Sequence, residues 1–266
     1  MAIPHQLFSL LRDPHDLGPL ELEGDRLVNR ASQRCFPIVN SIPVFVEPGE
    51  LGPQNRKLQG MYDWMAHGYD LALGIGDFFY RGKIAEFRRR LATTLALKAG
   101  QRCLYTSIGT GADVPFLAEQ VSLSTIDLVG LDLSMGMLKR CQKKLRACAD
   151  TSLLVQANAE HLPFADQSFD VAVHVGGINF FDDPAGAVRE MQRVAKPGAL
   201  IVVSDETKEV VTGNYQRSPF TRSYFKDVPT DFNPRSWIPD GAVEVSYEEV
   251  WKGKGYCLTF RAAAKR

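Results

Sequence analysis

The stretch Cys103-Leu104-Tyr105-Thr106-Ser107-Ile108-Gly109-Thr110-Gly111 decides the fold of this chain. Its apolar start predicts a buried strand, which ends in a glycine turn and is followed by a helix from about Val114. Glycine is needed where a backbone turns sharply or where a ligand approaches the main chain without a Cβ in the way. Such a turn after a first strand is the usual ligand position of an open α/β sheet, although an ordinary tight turn fits the same residues.

Strand-like and helix-like segments alternate beyond this turn. The strand-like segments are apolar without strict alternation, which implies burial on both faces, as in a parallel sheet. A last pair of strand-like runs flanks Gly253-Lys254-Gly255, a sequence typical of a hairpin turn. The sequence therefore predicts a doubly wound, mostly parallel Rossmann-like α/β sheet with an antiparallel C-terminal hairpin. The predicted strands are 103–105, 126–132, 153–157, 169–175, 199–204, 243–251 and 256–261, and the predicted helices are 114–121, 135–149 and 185–195.

The first hundred residues divide into two regions. Residues 1–50 combine short apolar runs with prolines and glycines, which predicts a small β-rich extension with tight turns. Residues 47–53 are typical of a linker. Apolar residues recur at three- and four-residue steps over 55–98, which predicts N-terminal helices that end at Lys98-Ala99-Gly100. We therefore expect an extension at 1–50 and a larger α/β domain at 55–266.

Composition argues against several classes of protein. The 266 residues contain 31 Lys plus Arg and 31 Asp plus Glu, whereas nucleic-acid binders usually carry a basic excess. The run Arg88-Arg89-Arg90 fits a solvated helix face better than a binding patch. The five cysteines include no Cys-x-x-Cys pair, so we expect reduced thiols in a cytoplasmic protein and no metal site. No run of about 18 apolar residues occurs, so we expect neither a membrane span nor a signal peptide.

Asp132 gives the glycine turn a partner. It ends the second strand, 23 residues after Gly109, which is close to the spacing of about 20 residues at which an acidic residue meets ribose hydroxyls. A carboxylate suits this contact because it can accept a hydrogen bond from each hydroxyl of a diol. The alternative is that Asp132 caps the following helix, a role that Ser134 could equally fill.

Two more strand ends complete a crevice. Asn158-Ala159-Glu160 follows the third strand, where a polar side chain and free amides could read an adenine edge. His174-Val175-Gly176-Gly177 ends the fourth strand, and its small residues leave space above the sheet. Because the carboxyl ends of parallel strands meet at one edge of a sheet, we expect all four ends to form a single ligand site.

With these residues in place, the chain resembles the class I S-adenosylmethionine-dependent methyltransferases, and most closely the ubiquinone/menaquinone-biosynthesis group. The resemblance covers about residues 55–205, and several motifs in the correct order make it more specific than the glycine turn alone. These motifs are Tyr62-Asp63, Tyr69-Asp70, Ile108-Gly109-Thr110-Gly111, Gly130-Leu131-Asp132-Leu133-Ser134, Met137-Leu138, Asn158-Ala159-Glu160, Leu162-Pro163-Phe164, Ser168-Phe169-Asp170, Arg193-Val194 and Lys196-Pro197-Gly198.

The resemblance implies S-adenosylmethionine as the cofactor and assigns residues along it. Gly109 and Gly111 would lie against the methionine part, and Asp132 would hold the ribose. Met135 would pack on the adenine, and Asn158-Ala159 would meet its edge. The full set expected to bind the cofactor is Tyr69, Ser107, Gly109, Thr110, Gly111, Asp132, Leu133, Met135, Asn158, Ala159, Glu160 and His174.

The chain also departs from the family pattern. In the family the first strand usually ends Asp-x-Gly-x-Gly-x-Gly. In this chain Tyr105 replaces the acid and Ser107 replaces the first glycine. Asn158 replaces the usual aspartate, although an amide can still accept a hydrogen bond from an adenine amine. The family's acid helps to orient the ammonium end of the cofactor, so these changes leave open a cofactor-binding protein that has lost methyl transfer.

The first 50 residues resemble the zinc-ribbon-like domain that precedes some methyltransferases. The framework at 36–45 is typical of that domain, but Asp13 to Asp16 include no cysteine, and near Ser32 only Cys35 remains. Four ligands are needed for a structural zinc site. We therefore expect a metal-free remnant, kept for packing or for shaping the substrate entrance.

The predicted function is transfer of a methyl group to a small molecule. His174 is the candidate catalytic base, because an imidazole titrates near neutrality, but a histidine satisfied by its neighbours fits the sequence as well. His67 and Tyr69 could cover the site or simply pack their helix. Aromatic residues in 207–240 predict an apolar or aromatic acceptor beneath a covering segment, unless they fill the core. An RNA methyltransferase is the alternative, which zero net charge and the missing zinc ligands disfavour.

Overall fold

A seven-stranded sheet forms the centre of the computed structural model, which describes residues 3–47, 49–79, 81–217, 222–225 and 231–263. Its strands end where the apolar runs give way to glycine or to polar residues. They are β5 (Arg102–Tyr105), β6 (Asp127–Asp132), β7 (Ser152–Gln156), β8 (Phe169–Val175), β9 (Ala195–Glu206), β10 (Val243–Val250) and β11 (Gly255–Arg261), and β1 to β4 form a separate N-terminal sheet described below.

The strand order is β10-β11-β9-β8-β5-β6-β7. Strands β5 to β9 are parallel, and β11 lies antiparallel between β9 and β10. The predicted doubly wound, mostly parallel sheet with a C-terminal hairpin is therefore confirmed. In the register, Tyr105 lies opposite both Gly130 and Val173, so the carboxyl ends of β5, β6 and β8 meet at one edge.

Helices cover both faces of the sheet. Side chains alternate along β5, so Cys103 and Tyr105 face one buried cluster and Leu104 faces the other. The first cluster packs against α4 (Lys83–Leu95), α5 (Val114–Ala118) and α6 (Met135–Lys144), and the second against α7 (Pro184–Val194). Burial of each large apolar side chain contributes about 2 kcal/mol, which makes this two-sided core the main source of stability.

The predicted helical region contains α2 (Pro53–Met65), α3 (Tyr69–Phe79) and α4. The prediction that the last helix ends at Lys98-Ala99-Gly100 is wrong, because α4 ends at Leu95 and Ala96 adopts a left-handed conformation with φ of 46°. The next residues turn back into the fold, where Leu97 is buried and the Gly100 amide donates to the Thr125 carbonyl. No local sequence signal marks Ala96, since glycine is the usual residue in that conformation.

The N-terminal extension is built on a small antiparallel sheet. It contains α1 (His5–Phe8), β1 (Glu21–Glu23), β2 (Arg26–Val28), β3 (Cys35–Val39) and β4 (Ile42–Pro43). Leu11, Leu27 and Phe36 join the core cluster on the α7 side of the large sheet. The Phe45 amide donates to the Gln156 carbonyl at the end of β7 over 2.8 Å, so the extension packs directly on the larger domain. Within the predicted linker 47–53, Pro48 lies outside the described residues.

A polar cluster lies at the positions where a zinc-ribbon-like domain would carry its ligands. The Asp13 carboxylate is fully buried and accepts hydrogen bonds from the Asn29 amide at 2.7 Å, from the Ser32 hydroxyl at 3.1 Å and from Arg34 at 3.3 Å. Asn29 also donates to Asp16 at 2.9 Å. Burial acts to raise the pKa of Asp13, but these hydrogen bonds and one from the backbone outweigh it and lower the pKa. Because the four side chains satisfy one another and include a guanidinium, the cluster does not fit a zinc ion.

Three further observations bear on the expectations about a metal site, a membrane span and a covering segment. The side chains of His15, Glu47 and Glu50 bring three potential ligand atoms within 4.8 Å of one another, all of them on exposed residues. Of the helices in the described part of the chain, none has the length and apolar character that crossing a bilayer requires. The segment 207–240, which the sequence predicts to cover the substrate, contains α8 (Lys208–Val210), a π-helical turn (Val211–Tyr215) and α9 (Arg222–Phe225).

Candidate active site

A cleft opens at the carboxyl ends of β5, β6, β7 and β8. It encloses about 770 Å³, part of it open to solvent. The predicted residues that line it are Tyr69, Ser107, Gly109, Asp132, Leu133, Asn158 and Ala159, and the predicted residues that do not are Thr110, Gly111, Met135, Glu160 and His174.

Asp132 connects the two strand ends at the centre of the cleft. Its Oδ2 accepts a hydrogen bond from the Gly109 amide at 2.8 Å, and its Oδ1 accepts one from the Ser134 amide at 2.9 Å. Burial raises the pKa of Asp132 to about 6, although both hydrogen bonds oppose that shift. The alternative role as the cap of α6 belongs to Ser134, whose hydroxyl accepts the Met137 amide. Asp132 is therefore an ionisable acceptor held in the cleft with lone pairs to spare.

The two glycines of the turn have different surroundings. A Cβ placed on Gly109 would meet no atom within 4 Å, so this position leaves open space beside the cleft. A Cβ on Gly111 would lie 2.8 Å from the Cys141 sulfur of α6, which makes Gly111 a packing glycine. The expectation that both glycines lie against a ligand thus applies, in geometry, to Gly109 alone. Between them, the Thr110 hydroxyl donates to Asp70 at 2.5 Å.

The two residues that depart from the family pattern are satisfied within the protein. The Tyr105 side chain is buried and its hydroxyl donates to Asp113 at 2.5 Å, while Arg88 pairs with the other oxygen of Asp113 at 2.6 Å. The Ser107 hydroxyl donates to the Val175 carbonyl and accepts the Val175 amide, both at 3.1 Å. Tyr105 therefore stands in place of the family's acid without occupying the cleft. Ser107 connects the turn after β5 to β8 through two hydrogen bonds.

The far side of the cleft is formed by Leu133, Met137, Asn158 and Ala159. Asn158 keeps its side chain near Glu160, whose amide donates to its Oδ1 at 3.0 Å. Met135, expected here, packs instead with the core cluster beneath α6, and Met137 takes the place in the wall. On a helix two residues change the face by about 200°, so a small error in the expected register exchanges these methionines.

Glu160 acts as a structural link rather than as part of the wall. Its carboxylate accepts the Asn55 side-chain amide of α2 and the Asp183 backbone amide that precedes α7, each at 2.9 Å. It thereby ties the N-terminal helices to the sheet beside the cleft.

His174 lies behind the cleft, with no exposed surface. Its Nδ1 lies 2.9 Å from the Thr106 hydroxyl and its Nε2 lies 3.1 Å from the Gly176 carbonyl. Burial lowers the pKa of His174 to about 4, so the ring is neutral, with Nε2–H donating to Gly176 and Nδ1 accepting from Thr106. This geometry matches a histidine satisfied by its neighbours, and a direct role as a base remains an untested prediction.

Two Tyr-Asp pairs close the cleft from the N-terminal helices. Tyr62 and Tyr69 line it and pack edge-on, with ring centroids 6.4 Å apart. Asp63 accepts the Ser134 hydroxyl at 2.6 Å and the Gly136 amide at 2.9 Å, which fixes α2 to the start of α6. Asp70, which accepts Thr110, also pairs with Lys144 at 2.9 Å. In each pair the tyrosine forms the wall while the following aspartate holds the helix in place.

Several residues of the site were not anticipated from the sequence. Asn55, Leu58 and Gln59 line the cleft together with Tyr62, and their i, i+3, i+4, i+7 spacing on α2 could have revealed them. Asp205, at the end of β9, accepts the Asn179 amide at 3.0 Å and so holds the loop that carries Gly177 and Phe181 into the wall. Burial raises the pKa of Asp205 to about 6.

The aromatic residues of the segment 207–240 contribute mainly to packing. Phe225 is buried against Phe180 with ring centroids 4.6 Å apart, and Trp237 stacks on Phe232 at 6.1 Å. Together with Leu58 and Met61 of α2, Phe225 and Phe180 form an apolar cluster beside the cleft. Of the other predicted aromatics, Phe220 and the side chain of Tyr215 lie outside the described residues.

The sequence of this chain is similar to those of known methyltransferases. A family model described as "Methyltransferase domain" matches residues 104–203. The chain is 31% identical over 183 residues to a demethylmenaquinone methyltransferase of Paenarthrobacter aurescens, covering 69% of this chain and 67% of that protein. It is 33% identical over 177 residues to a ubiquinone/menaquinone biosynthesis C-methyltransferase of Xanthomonas oryzae, covering 65% and 68%.

Among solved structures, the crystal structure of the [4+2]-cyclase SpnF superposes with a TM-score of 0.59 and 18% identity, covering 82% of this chain and 100% of that chain. At this identity the likeness shows a shared fold alone. Because that protein is described as a cyclase, the fold by itself does not identify the reaction.

Proposed function

Because the chain belongs to the S-adenosylmethionine-dependent methyltransferase family of the demethylmenaquinone and ubiquinone/menaquinone enzymes, we propose that it methylates a ring carbon of a lipophilic quinone-type acceptor. The chain is a methyltransferase of this family, and S-adenosylmethionine is its cofactor. The observation that carries the proposal is the mixed lining of the cleft. It combines polar groups around Asp132, here called the polar half, with the apolar and aromatic side chains of Leu58, Tyr62 and Phe181, here called the apolar half.

The polar half fits an adenosyl sulfonium. Asp132 would accept the ribose hydroxyls, and Asn158 with Ala159 would meet the adenine. The open space at Gly109 would admit the methionine part against the backbone. The cofactor supplies a methyl group already activated by the positive sulfur, so the protein mainly has to align the acceptor and exclude water.

The apolar half suits a flat ring. Leu58, Tyr62 and Phe181 line it, and Gly177 lies beside them, since a Cβ placed on Gly177 would be 3.9 Å from the Tyr62 hydroxyl. Burial raises the pKa of Tyr62 well above its usual value of 10, so the phenol stays protonated. Tyr62 would therefore donate a hydrogen bond to an oxygen of the acceptor and orient its ring.

The chemistry of the acceptor follows from the groups available. A ring carbon attacks a methyl group only when the ring is electron-rich, so the acceptor is the reduced hydroquinone and not the oxidised quinone. The carbon gains the methyl group and loses one proton to water. Among described residues of the wall the titratable side chains are Tyr62, Tyr69 and Asp132, of which burial keeps Tyr62 and Tyr69 protonated by raising the pKa. With Asp132 held for the ribose, transfer depends on alignment and on the acidity of the hydroquinone itself.

The proposal is tested with purified protein, methyl-labelled S-adenosylmethionine and a short-chain prenyl naphthoquinone in detergent, reduced or oxidised. We expect label on the ring carbon of the reduced acceptor only. Tyr62→Phe should lower kcat/KM for the acceptor about tenfold by removing one hydrogen bond, with the cofactor Kd unchanged. Tight cofactor binding without transfer to any reduced ring would contradict the proposal and favour a cofactor-binding protein that has lost methyl transfer.

A further inference from the structure

The helix α3 presents a row of large apolar side chains to solvent. Leu71, Ile75, Phe78 and Phe79, here called the apolar face of α3, follow the i, i+4, i+7, i+8 spacing of one helix face. Their exposed fractions are 69%, 51%, 81% and 76%, and α3 contains no buried residue. Trp64, near the end of the preceding helix, is 81% exposed. A contiguous apolar face of this kind marks an interaction surface rather than ordinary surface composition.

The charged side chains of α3 are already engaged elsewhere. Asp70 binds Thr110 and Lys144, and Asp77 accepts the amides of Ile84 and Ala85 at the start of α4. The face left toward solvent therefore carries no charge of its own, and the hairpin with α4 holds it in a defined orientation.

A strongly basic face adjoins the start of this helix. Residues 135–149 contain five cations and no acid, although the whole chain has zero net charge. Lys144 lies 2.9 Å from Asp70 of α3, and Arg140 also lies close enough to lower the pKa of that carboxyl. Among the described residues, Lys139, Lys143 and Arg146 make no ion pair within 4.0 Å, so three cations remain free for a partner. We call Lys139, Arg140, Lys143 and Lys144 of α6, together with Arg146 just after its end, the basic face of α6.

Helix α3 borders the entrance of the candidate active site. Tyr69, the first residue of α3, lines the cleft, and its ring packs on Tyr62 of the apolar half. A surface that binds the apolar face of α3 would therefore lie next to the place where an acceptor enters.

We propose that the apolar face of α3 and the basic face of α6 dock the enzyme on an anionic lipid surface, from which a lipophilic acceptor reaches the cleft. Apolar side chains inserted at the headgroup boundary, with cations beside them, are the combination that binds anionic bilayers. A second copy of the chain fits less well, because a two-fold interface through this region would bring the two basic faces together. The inference rests on the proposed function for the identity of the acceptor, but lipid binding is measured without it.

The test is flotation of the full-length protein with vesicles of phosphatidylcholine alone or mixed equally with phosphatidylglycerol. We expect binding to the mixed vesicles, and loss of binding as salt is raised, because the range over which charges attract shortens from about 10 Å at 0.1 M salt to about 3 Å at 1 M. Phe78→Ser with Phe79→Ser should weaken binding about thirtyfold for each ring removed, the equivalent of about 2 kcal/mol per buried ring. Lys139→Glu with Lys143→Glu should weaken it at least fivefold per cation or so.

Matched controls separate this surface from general stickiness and from misfolding. Val243→Ser with Val245→Ser removes two apolar side chains that are 51% and 48% exposed on β10, and Lys252→Glu reverses an exposed cation. These variants should bind vesicles like the parent. All variants should methylate a detergent-solubilised acceptor at the parental rate, while the α3 variants lose activity toward acceptor embedded in vesicles.

The outcomes are distinct for the two proposals. Methyl transfer in detergent without any vesicle binding overturns the docking surface and leaves the function standing. Vesicle binding without transfer to any reduced ring overturns the function alone. A concentration-dependent dimer that the Phe78 and Phe79 changes dissociate, with no vesicle binding, would assign the face to a second copy instead.

Discussion

The backbone amide of Gly109 donates a hydrogen bond of 2.8 Å to the carboxylate of Asp132, although the two residues lie on different strand ends. This contact places the glycine turn and the acid of the next strand on one side of the sheet, in a single cleft. It also fixes the carboxylate with its remaining lone pairs toward the space where a ribose would bind. The proposed cofactor site thus depends on a hydrogen bond that parallel pairing of β5 and β6 brings into register.

The two glycines of the turn should respond differently to alanine. Both have positive φ, 56° at Gly109 and 71° at Gly111, so each substitution carries a similar backbone strain of about 1 kcal/mol. Gly109→Ala should weaken S-adenosylmethionine binding while the protein stays folded, because its Cβ enters open space of the cleft. Gly111→Ala should lower the free energy of unfolding further, because its Cβ meets the Cys141 sulfur. Cofactor titration and thermal unfolding of both variants measure this.

A double variant provides the control for that comparison. The Cys141→Ala background lacks the sulfur atom that the new Cβ would meet. Gly111→Ala should therefore lower the free energy of unfolding less in that background than in the parent. An equal fall in both backgrounds, or a loss of cofactor affinity equal in both glycine variants, would contradict the packing role of Gly111.

His174 should influence stability more than the chemical step. The folded protein takes up a proton on this ring only near pH 4, whereas the unfolded chain does so near 6.5. The stability contributed by the neutral ring is complete above pH 6.5 and is lost as pH falls toward 4, by about 1.4 kcal/mol per unit. A glutamine at this position does not titrate. The difference in the free energy of unfolding between the parent and His174→Gln should therefore shrink by about 2 kcal/mol between pH 7 and pH 5.

The same variant tests catalysis. We expect kcat of His174→Gln to fall less than about tenfold, with an unchanged pH-rate profile, since a general base contributes about a hundredfold or more. A fall in kcat of two orders of magnitude, together with loss of the pH-dependent limb of the pH-rate profile, would identify His174 as the catalytic base.

The aspartates of the two Tyr-Asp pairs should control how well the N-terminal helices close the cleft. Asp63→Ala removes the acceptor for Ser134 and Gly136, and Asp70→Ala removes the partner of Thr110 and Lys144. Each should raise KM for S-adenosylmethionine about tenfold and increase cleavage in residues 53–95 during limited proteolysis. Asp240→Ala, a change at a surface loop, is the matched control. Unchanged KM and unchanged cleavage in both variants would show that these contacts do not matter.

The polar cluster of the N-terminal extension should make its stability independent of metal. Addition of a strong chelator should leave the melting temperature unchanged. Asp13→Ala should lower it by several degrees, because the buried Asn29 and the partly buried Ser32 and Arg34 each lose a hydrogen bond to Asp13, at a cost of about 2 kcal/mol. A chelator-dependent fall in melting temperature, reversed by zinc, would be incompatible with the hydrogen-bonded cluster.

The sequence predicts the sheet well because its information is local. Strand β8 was expected at 169–175 and occupies those residues, since an apolar run between a polar turn and two glycines leaves little choice. Asp132 and Gly109 could be paired from their spacing for the same reason, because parallel neighbours end together. The end of α4 at Leu95 could not be predicted, because alanine does not favour the left-handed conformation that Ala96 adopts where the chain turns to bury Leu97.

The contacts between distant segments were the least predictable part of the site. The Tyr62-Asp63 and Tyr69-Asp70 motifs were visible, but only the packed helices show that each tyrosine faces the cleft and each aspartate holds a loop. His174 ends a strand at the site, as expected, yet its ring points into the protein, where Thr106 and Gly176 satisfy both nitrogens. The direction of a side chain at a strand end depends on alternation along the strand, which a shift of one residue inverts.

The most direct measurement is a calorimetric titration of S-adenosylmethionine into the parent and into Asp132→Ala at pH 7 and pH 5. The parent should bind one cofactor per chain, about tenfold more weakly at pH 5, because burial raises the pKa of Asp132 to about 6 and the protonated acid is a poorer acceptor. The variant should bind at least tenfold or so more weakly at pH 7, with little change between the two pH values. A parent that binds no cofactor, or a variant that binds as tightly as the parent, would contradict the site described around Gly109 and Asp132.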